Sequence, residues 1–293
     1  MLDSIISILV TGAMLSAVYA LIAVGFTMIF GVGGVLNLAH GGLIMIGAYT
    51  YLVVTDASFV GLHPVVGFIV AIAIAAIASY VLYVGLVQFI EDDIVITFLA
   101  TVVVALLLTE LATMQFTTNS YTLAVWGGSF HLESVGVRVR YNDLLGFVAS
   151  WIAIGLLWYY VTKTDQGRSI LAASMSERGA QLTGVDLRAV KARTWLIAGG
   201  LAGLAGVFLG TRTYPANPEM WLNPLALAFI IVVIGGIGSI KGSIVAAYLI
   251  GYLETIAITQ LGASYQGIFA LIVLVAVLIV LPEGLYGREF VHD

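Results

Sequence analysis

The chain has 293 residues, of which 61% are hydrophobic and only 9% are charged. Soluble domains carry roughly 25% charged residues, so this composition excludes a soluble protein and indicates an integral membrane protein. The absence of cysteine excludes disulfides, thiolate catalysis and thiolate metal sites, and the net charge of −5 comes with no basic surface for nucleic acid.

Uncharged apolar runs predict an all-α fold, a polytopic bundle of transmembrane helices that forms a single domain over residues 1–293. In chain order, the predicted helices cover residues 5–30, 36–54, 64–89, 94–114, 144–161, 194–211, 225–234, 243–258 and 268–281. The first run is too long for a cleavable signal and lacks its basic start, so we expect it to remain as a spanning helix. Residues 225–234 are too few to cross ~30 Å without part of their glycine-rich flank, which leaves eight and nine crossings open.

Glycine clusters break the apolar pattern at two places, after the first predicted helix at residues 31–34 and after the seventh at residues 235–242. Each break separates two helices that cross the membrane and return, as expected of an internal parallel repeat. Glycine turns are also common in membrane bundles, so a chance similarity between the two places stays open.

The distribution of Lys and Arg predicts the orientation of the bundle. Six of the eleven Lys and Arg lie in residues 163–193. If this loop is cytoplasmic, alternating crossings place eight Lys and Arg inside, including Arg288, and leave only Arg138, Arg140 and Arg212 outside. The positive-inside rule therefore predicts an N-terminus outside and a C-terminus in the cytoplasm, with residues 116–142 as an extracytoplasmic loop.

The basic loop also carries an apolar pattern. Leu171, Met175, Leu182 and Val185 fall within an arc of about 80° at the helical period of 100° per residue. This spacing predicts one short amphipathic helix, which Gly184 would end in a left-handed conformation. Such a helix lies on the lipid interface or inserts into a groove of another protein, and periodicity leaves both open.

Several runs along the chain resemble one family. They are Tyr-Ala-Leu-Ile-Ala-Val-Gly-Phe-Thr-Met-Ile-Phe-Gly at 19–31, Asn-Leu-Ala-His-Gly at 37–41, Gly-Ala-Tyr at 47–49, Leu-Ala-Gly-Leu-Ala-Gly at 201–206, Gly-Gly-Ile-Gly-Ser at 235–239 and Leu-Pro-Glu-Gly-Leu-Tyr-Gly at 281–287. In this order they resemble the permease subunits of branched-chain amino acid ABC importers. The resemblance covers essentially the whole chain, and the ordered set is more specific than any one run.

The resemblance implies a permease subunit in the cell (inner) membrane that translocates branched-chain amino acids or related small solutes such as urea and short amides. It also implies three kinds of protein partner, namely ABC ATPase subunits, a second related permease and an extracytoplasmic solute-binding protein. The chain itself has no Gly-Lys dipeptide and hence no Walker A motif, so we expect ATP to be hydrolysed by the partner and no cofactor to be bound here. The alternative function is a stand-alone secondary transporter or channel, because broken helices serve both classes.

The family's cytoplasmic coupling loop seats in the ATPase subunit, and residues 163–193 resemble it. Glu177, Ala180 and Gly184 are similar to its signature of a Glu-Ala-Ala start and a later Gly, although Arg178 and Gly179 stand where the signature has alanine. With the apolar pattern, the resemblance implies a set of ATPase-coupling residues: Leu171, Met175, Glu177, Ala180, Leu182, Gly184 and Val185.

Three polar residues in apolar surroundings are candidates for the translocation pathway, namely Asn37, His40 and Glu110. Each has a plainer interpretation: Asn37 caps the second helix, His40 bonds a backbone carbonyl, and Glu110 is solvated near the outer end of its helix. Two stripes of small residues at four-residue spacing, 12, 16 and 20 and then 198, 202, 206 and 210, predict close helix packing rather than a site.

Overall fold

The computed structural model describes residues 2–123, 127–132, 137–211 and 215–287. The chain is 77% helical, which confirms the predicted all-α polytopic bundle. Within the described residues, six helices are long and apolar enough to cross a membrane, and three shorter apolar helices accompany them. Arg212 and Arg288, which were counted in the distribution of Lys and Arg, lie outside the described residues.

The helices follow the uncharged runs closely. In chain order they are α1 Leu2–Gly33, α2 Ala39–Thr55, α3 Pro64–Gly85, α4 Ile94–Phe116, α5 Tyr141–Lys163, α6 Asp165–Met175, α7 Glu177–Leu182, α8 Leu187–Gly210, α9 Leu222–Gly235, α10 Ile240–Gln260 and α11 Ile268–Val280. The polar helices α6 and α7 lie in the basic loop between α5 and α8. Helix α8 begins seven residues before its predicted start at 194, so Arg188, Lys191 and Arg193 of the predicted loop lie in this helix. The predicted run 225–234 extends to 14 residues as α9, about 21 Å at 1.5 Å per residue.

Helices α1 and α8 form the centre of the bundle. In the most apolar stretch of α8, 72% of the residues are buried, against 17% in α4. Helix α1 packs against α5, α8, α9 and α10, and α2, α3 and α8 pack against one another. The outer helices α3, α4 and α5 therefore turn most of their apolar surface toward lipid or a further membrane protein.

The stripes of small residues lie where helices approach most closely, which confirms their packing role. Ala198 and Ala202 are fully buried on α8, and Gly206 of the same stripe packs on the backbone carbonyl of Ile44 in α2. On α1, Ser16 lies against Gly251 of α10. Small side chains stabilise these contacts because they let the two backbones come together.

The two glycine breaks meet each other. A Cβ atom on Gly31 would lie 3.1 Å from the Cα atom of Gly238, so the end of α1 touches the turn between α9 and α10. One turn deeper, the Oγ1 atom of Thr27 in α1 and the Oγ atom of Ser243 in α10 are 2.5 Å apart. The break itself falls at Gly34, which has a φ of 62°.

On the side of the bundle opposite the basic loop, a small antiparallel hairpin precedes α5. Its strands are β1 Ser129–Leu132 and β2 Val137–Arg140. The sequence analysis did not predict this hairpin, which lies inside the expected loop 116–142; residues 124–126 and 133–136 of that loop lie outside the described residues. A bridge between Tyr121 and Ala216 joins this loop to the segment before α9.

Candidate functional site

Asn37 and His40 lie in and directly after the turn that joins α1 to α2. Asn37 is 1% exposed and His40 is fully buried. The amide atoms of Asn37 and both ring nitrogens of His40 have no partner in hydrogen-bonding geometry. Buried polar groups normally have partners, so four such atoms within one turn of chain mark this place as unusual within the described bundle.

The predicted capping role of Asn37 is wrong. Helix α2 begins at Ala39, its N-cap is Leu38, and no side chain caps it. The N–H group of Leu38 instead donates to the Oγ1 atom of Thr101 in α4, at 3.2 Å. The side chain of Asn37 therefore does not cap α2.

His40 fills the space between α1, α2 and α8. Its ring meets the ring of Phe26 edge to face at 5.7 Å, and it lies beside Gly25 and the carbonyl of Ala198. The backbone of Ile22 is the hydrogen-bonding partner that the ring faces, although neither ring nitrogen meets it in full hydrogen-bond geometry. The expected backbone partner of His40 is therefore present in α1, as a contact that falls short of full hydrogen-bond geometry.

Glu110 has a different environment from that of Asn37 and His40. It is exposed on α4, in a stripe that includes Val103, Leu107 and Met114. It therefore contributes nothing to the interior of this chain, and any pathway that it lines lies between this chain and a neighbour.

The basic loop contains two helices rather than the single amphipathic helix that the spacing predicted. Helix α6 ends at Met175, and Ser176 adopts an extended conformation, with a φ of −163°. The hydroxyl of Ser176 accepts a hydrogen bond from the N–H group of Gly179 and so caps α7. A serine followed by an acidic residue is a strong helix start, and this local signal overrode the longer periodicity.

Helix α7 ends in the way that the sequence predicted. Gly184 has a φ of 85°, and its N–H group donates to the carbonyl of Gln181. The next N–H group, that of Val185, donates to the carbonyl of Ala180. This pair of bonds is the Schellman motif, in which glycine takes the left-handed position at little cost.

The coupling residues implied by the resemblance divide into an outer and an inner set. Leu171, Met175 and Leu182 are 39%, 70% and 83% exposed, and we call them the exposed apolar trio. Ala180 is only 3% exposed, and Val185 is half-buried against the main core. Ala180 and Val185 therefore hold the loop onto the bundle, and of the predicted apolar contacts only the trio is free to meet another protein.

Lys191, near the start of α8, joins the basic loop to two other parts of the chain. Its Nζ atom lies 3.1 Å from Oε1 of Glu177 in α7 and 3.2 Å from Oε1 of Glu91 in the α3–α4 loop. We call these three residues the Lys191 clamp. The sequence analysis missed it, since 100 residues separate Glu91 from Lys191 and no local pattern connects them.

A second acidic residue that the sequence analysis did not assign is Glu254 in α10. It is fully buried, and its Oε1 atom accepts a hydrogen bond of 2.8 Å from the N–H group of Gly267. Gly267 is the N-cap of α11, so the carboxylate satisfies a free donor at a helix start. Its role is to hold α11 against α10.

The sequence profile of the family described as "Branched-chain amino acid transport system / permease component" matches residues 8–278. The chain belongs to this family. The permease has a multi-pass membrane fold, and it forms the membrane-spanning part of an ABC importer.

Individual relatives span nearly the whole permease. It is 26% identical over 292 residues to the high-affinity branched-chain amino acid transport system permease protein LivH of Escherichia coli (strain K12), covering 96% of this chain and 95% of LivH. To the corresponding protein BraD of Pseudomonas aeruginosa it is 27% identical over 299 residues, with 97% and 96% covered. The ribose import permease protein RbsC of Escherichia coli (strain K12) is 30% identical over 283 residues, with 90% and 82% covered. No solved structure matches the chain.

Proposed function

We propose that this permease carries leucine, isoleucine, valine or closely related small amino acids, and that a separate ATPase subunit hydrolyses the ATP that drives import. Membership of the family and the similarity to the branched-chain amino acid permeases LivH and BraD support this substrate class. The similarity to a ribose importer indicates that the scaffold serves unlike solutes. We therefore assign selection mainly to an extracytoplasmic solute-binding protein, which releases solute into the permease.

The permease lies in the inner membrane, with its basic loop facing the cytoplasm and its N-terminus facing outward. The lysine and arginine distribution supports this orientation. The clamp contacts support the alternation of crossings behind this count, because they hold the α3–α4 loop on the same side as α6 and α7. The chain acts as one transmembrane domain over residues 1–293.

The ATPase docks on the exposed apolar trio. Large apolar side chains that stay exposed on a polar loop mark a contact surface. Here they lie on two short helices, α6 and α7, each of which begins after a residue whose side chain caps the helix. Arg178, exposed near the start of α7, supplies charge on the same loop. This surface is the single observation that carries the assignment of an ATPase partner.

The pathway forms jointly with a second, related permease. Asn37 and His40 lie at a helix break, where small movements of α1 against α2 would expose their unpartnered polar atoms to solute. Glu110 faces outward from α4, as a residue shared with a neighbouring subunit would. A carboxylate on a membrane face is costly unless protein or water covers it.

ATP dependence separates this function from a stand-alone secondary transporter. Proteoliposomes that contain the permease, its co-purified ATPase and the solute-binding protein should accumulate radiolabelled leucine only with hydrolysable ATP on the ATPase side. Accumulation driven by an ion gradient without ATP would refute the proposal.

A further inference from the structure

The ammonium group of Lys191 is placed where a lysine is costly. The residue is only 8% exposed, and its side chain lies against Gly33 at the end of α1. Four residues later on α8, the buried ring of Trp195 lies tilted against the ring of Tyr83 in α3, with ring centroids 5.7 Å apart. Lysine is almost never buried this deeply without a partner, because the charge loses its hydration.

Two carboxylates compensate for this burial, and they come from different segments. Glu91 belongs to the α3–α4 loop, with a side chain that is 17% exposed, and Glu177 is the first residue of α7, with a side chain that is 43% exposed. A surface ion pair would gain little from this geometry, but an ion pair with a buried cation is screened less by water. Lys191 therefore fixes three segments relative to one another.

Glu177 is the part of the basic loop that the clamp holds. It begins α7, directly after the extended residue Ser176, so its position sets where α7 starts. Leu182, the most exposed member of the apolar trio, lies at the other end of the same short helix. A displacement of α7 by a docked partner would thus pull on Lys191, and through it on α8 and on the loop that precedes α4.

We infer that Lys191 is a positioning residue for energy coupling: it transmits movement of α7 to α8 and α4 through its ion pairs with Glu177 and Glu91. The inference rests on the proposed function, since it needs an ATPase on the exposed apolar trio. It assigns Glu177 to an intramolecular contact rather than to the ATPase. The clamp then affects how much import each ATP yields, and docking depends on the trio.

The test uses the complete transporter in proteoliposomes, with radiolabelled leucine as the probe. It measures two quantities, the ATPase retained on purification and the ATP hydrolysed per leucine imported. Lys191→Met and Glu177→Gln should each keep the ATPase at the wild-type ratio and raise ATP per leucine about fivefold, the lower end of typical coupling effects. Lys191→Arg, which keeps the charge, should stay near wild type.

Lys163→Met is the matched control, because Lys163 is an exposed lysine at the edge of the same loop, and it should change neither quantity. If Lys191→Met fails to assemble, Glu177→Gln and Glu91→Gln carry the test, since each leaves one ion pair of the buried lysine intact. An unchanged ratio of ATP to leucine in Glu177→Gln would overturn the inference, and so would loss of its ATPase. Failure of the proposed function would be seen separately, as a wild-type complex without ATPase or without ATP-driven uptake.

Discussion

Gly206 of α8 lies directly against the backbone carbonyl of Ile44 in α2, with no room for a side chain between them. One turn away, a Cβ atom on Gly47 would lie 2.5 Å from the Cα atom of Gly203. Helices α2 and α8 therefore meet backbone to backbone. This contact holds α2, and with it Asn37 and His40 at its start, in the centre of the bundle.

Gly206→Ala should destabilise the permease by about 1–3 kcal/mol, the usual cost of overpacking a core, because its new methyl group collides with a backbone that cannot rotate away. Gly155→Ala is the matched control: Gly155 lies in α5, and a Cβ there meets nothing within 4 Å. It should be neutral or stabilising by up to about 1 kcal/mol. Thermal unfolding of the two purified variants in detergent, followed by tryptophan fluorescence, measures the difference. Equal melting temperatures would contradict the close α2–α8 contact.

Asn37→Leu should stabilise the bundle and impair transport. The buried amide has no hydrogen-bond partner, and replacing an unsatisfied polar group with an apolar one of similar size recovers about 1–3 kcal/mol. If Asn37 offers its amide to the solute, leucine uptake in proteoliposomes should fall about tenfold while the melting temperature rises. A more stable variant with wild-type uptake would remove Asn37 from the pathway.

Single cysteines report the orientation, since the chain has none of its own. Ser129→Cys, in the hairpin, should react in intact cells with a thiol reagent that does not cross membranes. Ser176→Cys, in the exposed turn between α6 and α7, should react only after the cells are opened. The reverse pattern would invert the predicted topology.

Much of the fold follows from the sequence because apolar runs and charge obey simple rules. Long uncharged stretches predicted α3 and α4 to within a few residues, since a single segment satisfies its own backbone hydrogen bonds in lipid only as a helix. The left-handed turn at Gly184 was also predictable, because glycine at the end of a short helix has few other roles.

Other features depend on contacts that local patterns do not contain. The apolar periodicity of the basic loop predicted one helix where the structure has two, α6 and α7, because periodicity does not take into account that Ser176 caps a new helix. The capping role predicted for Asn37 is wrong because α2 begins at Ala39, with Leu38 as its N-cap. The N–H group of Leu38 donates to Thr101 of α4 instead. The Lys191 clamp joins residues 100 apart in the chain, so only the packed bundle brings them together.

Met175→Asp tests the docking of an ATPase on the basic loop most directly. Met175 is 70% exposed at the end of α6, so in the free permease the new charge stays hydrated and costs at most about 1 kcal/mol against the helix dipole. In an apolar groove it would cost at least about 1.4 kcal/mol, or about tenfold in affinity. Gln166→Asp is the control, since Gln166 is exposed at the other end of α6 and points about 180° away at 100° per residue. We predict that the Met175→Asp complex loses its ATPase on purification and its ATP-driven leucine uptake, while the control keeps both. Normal ATPase content and normal uptake in Met175→Asp would contradict docking on the exposed apolar trio.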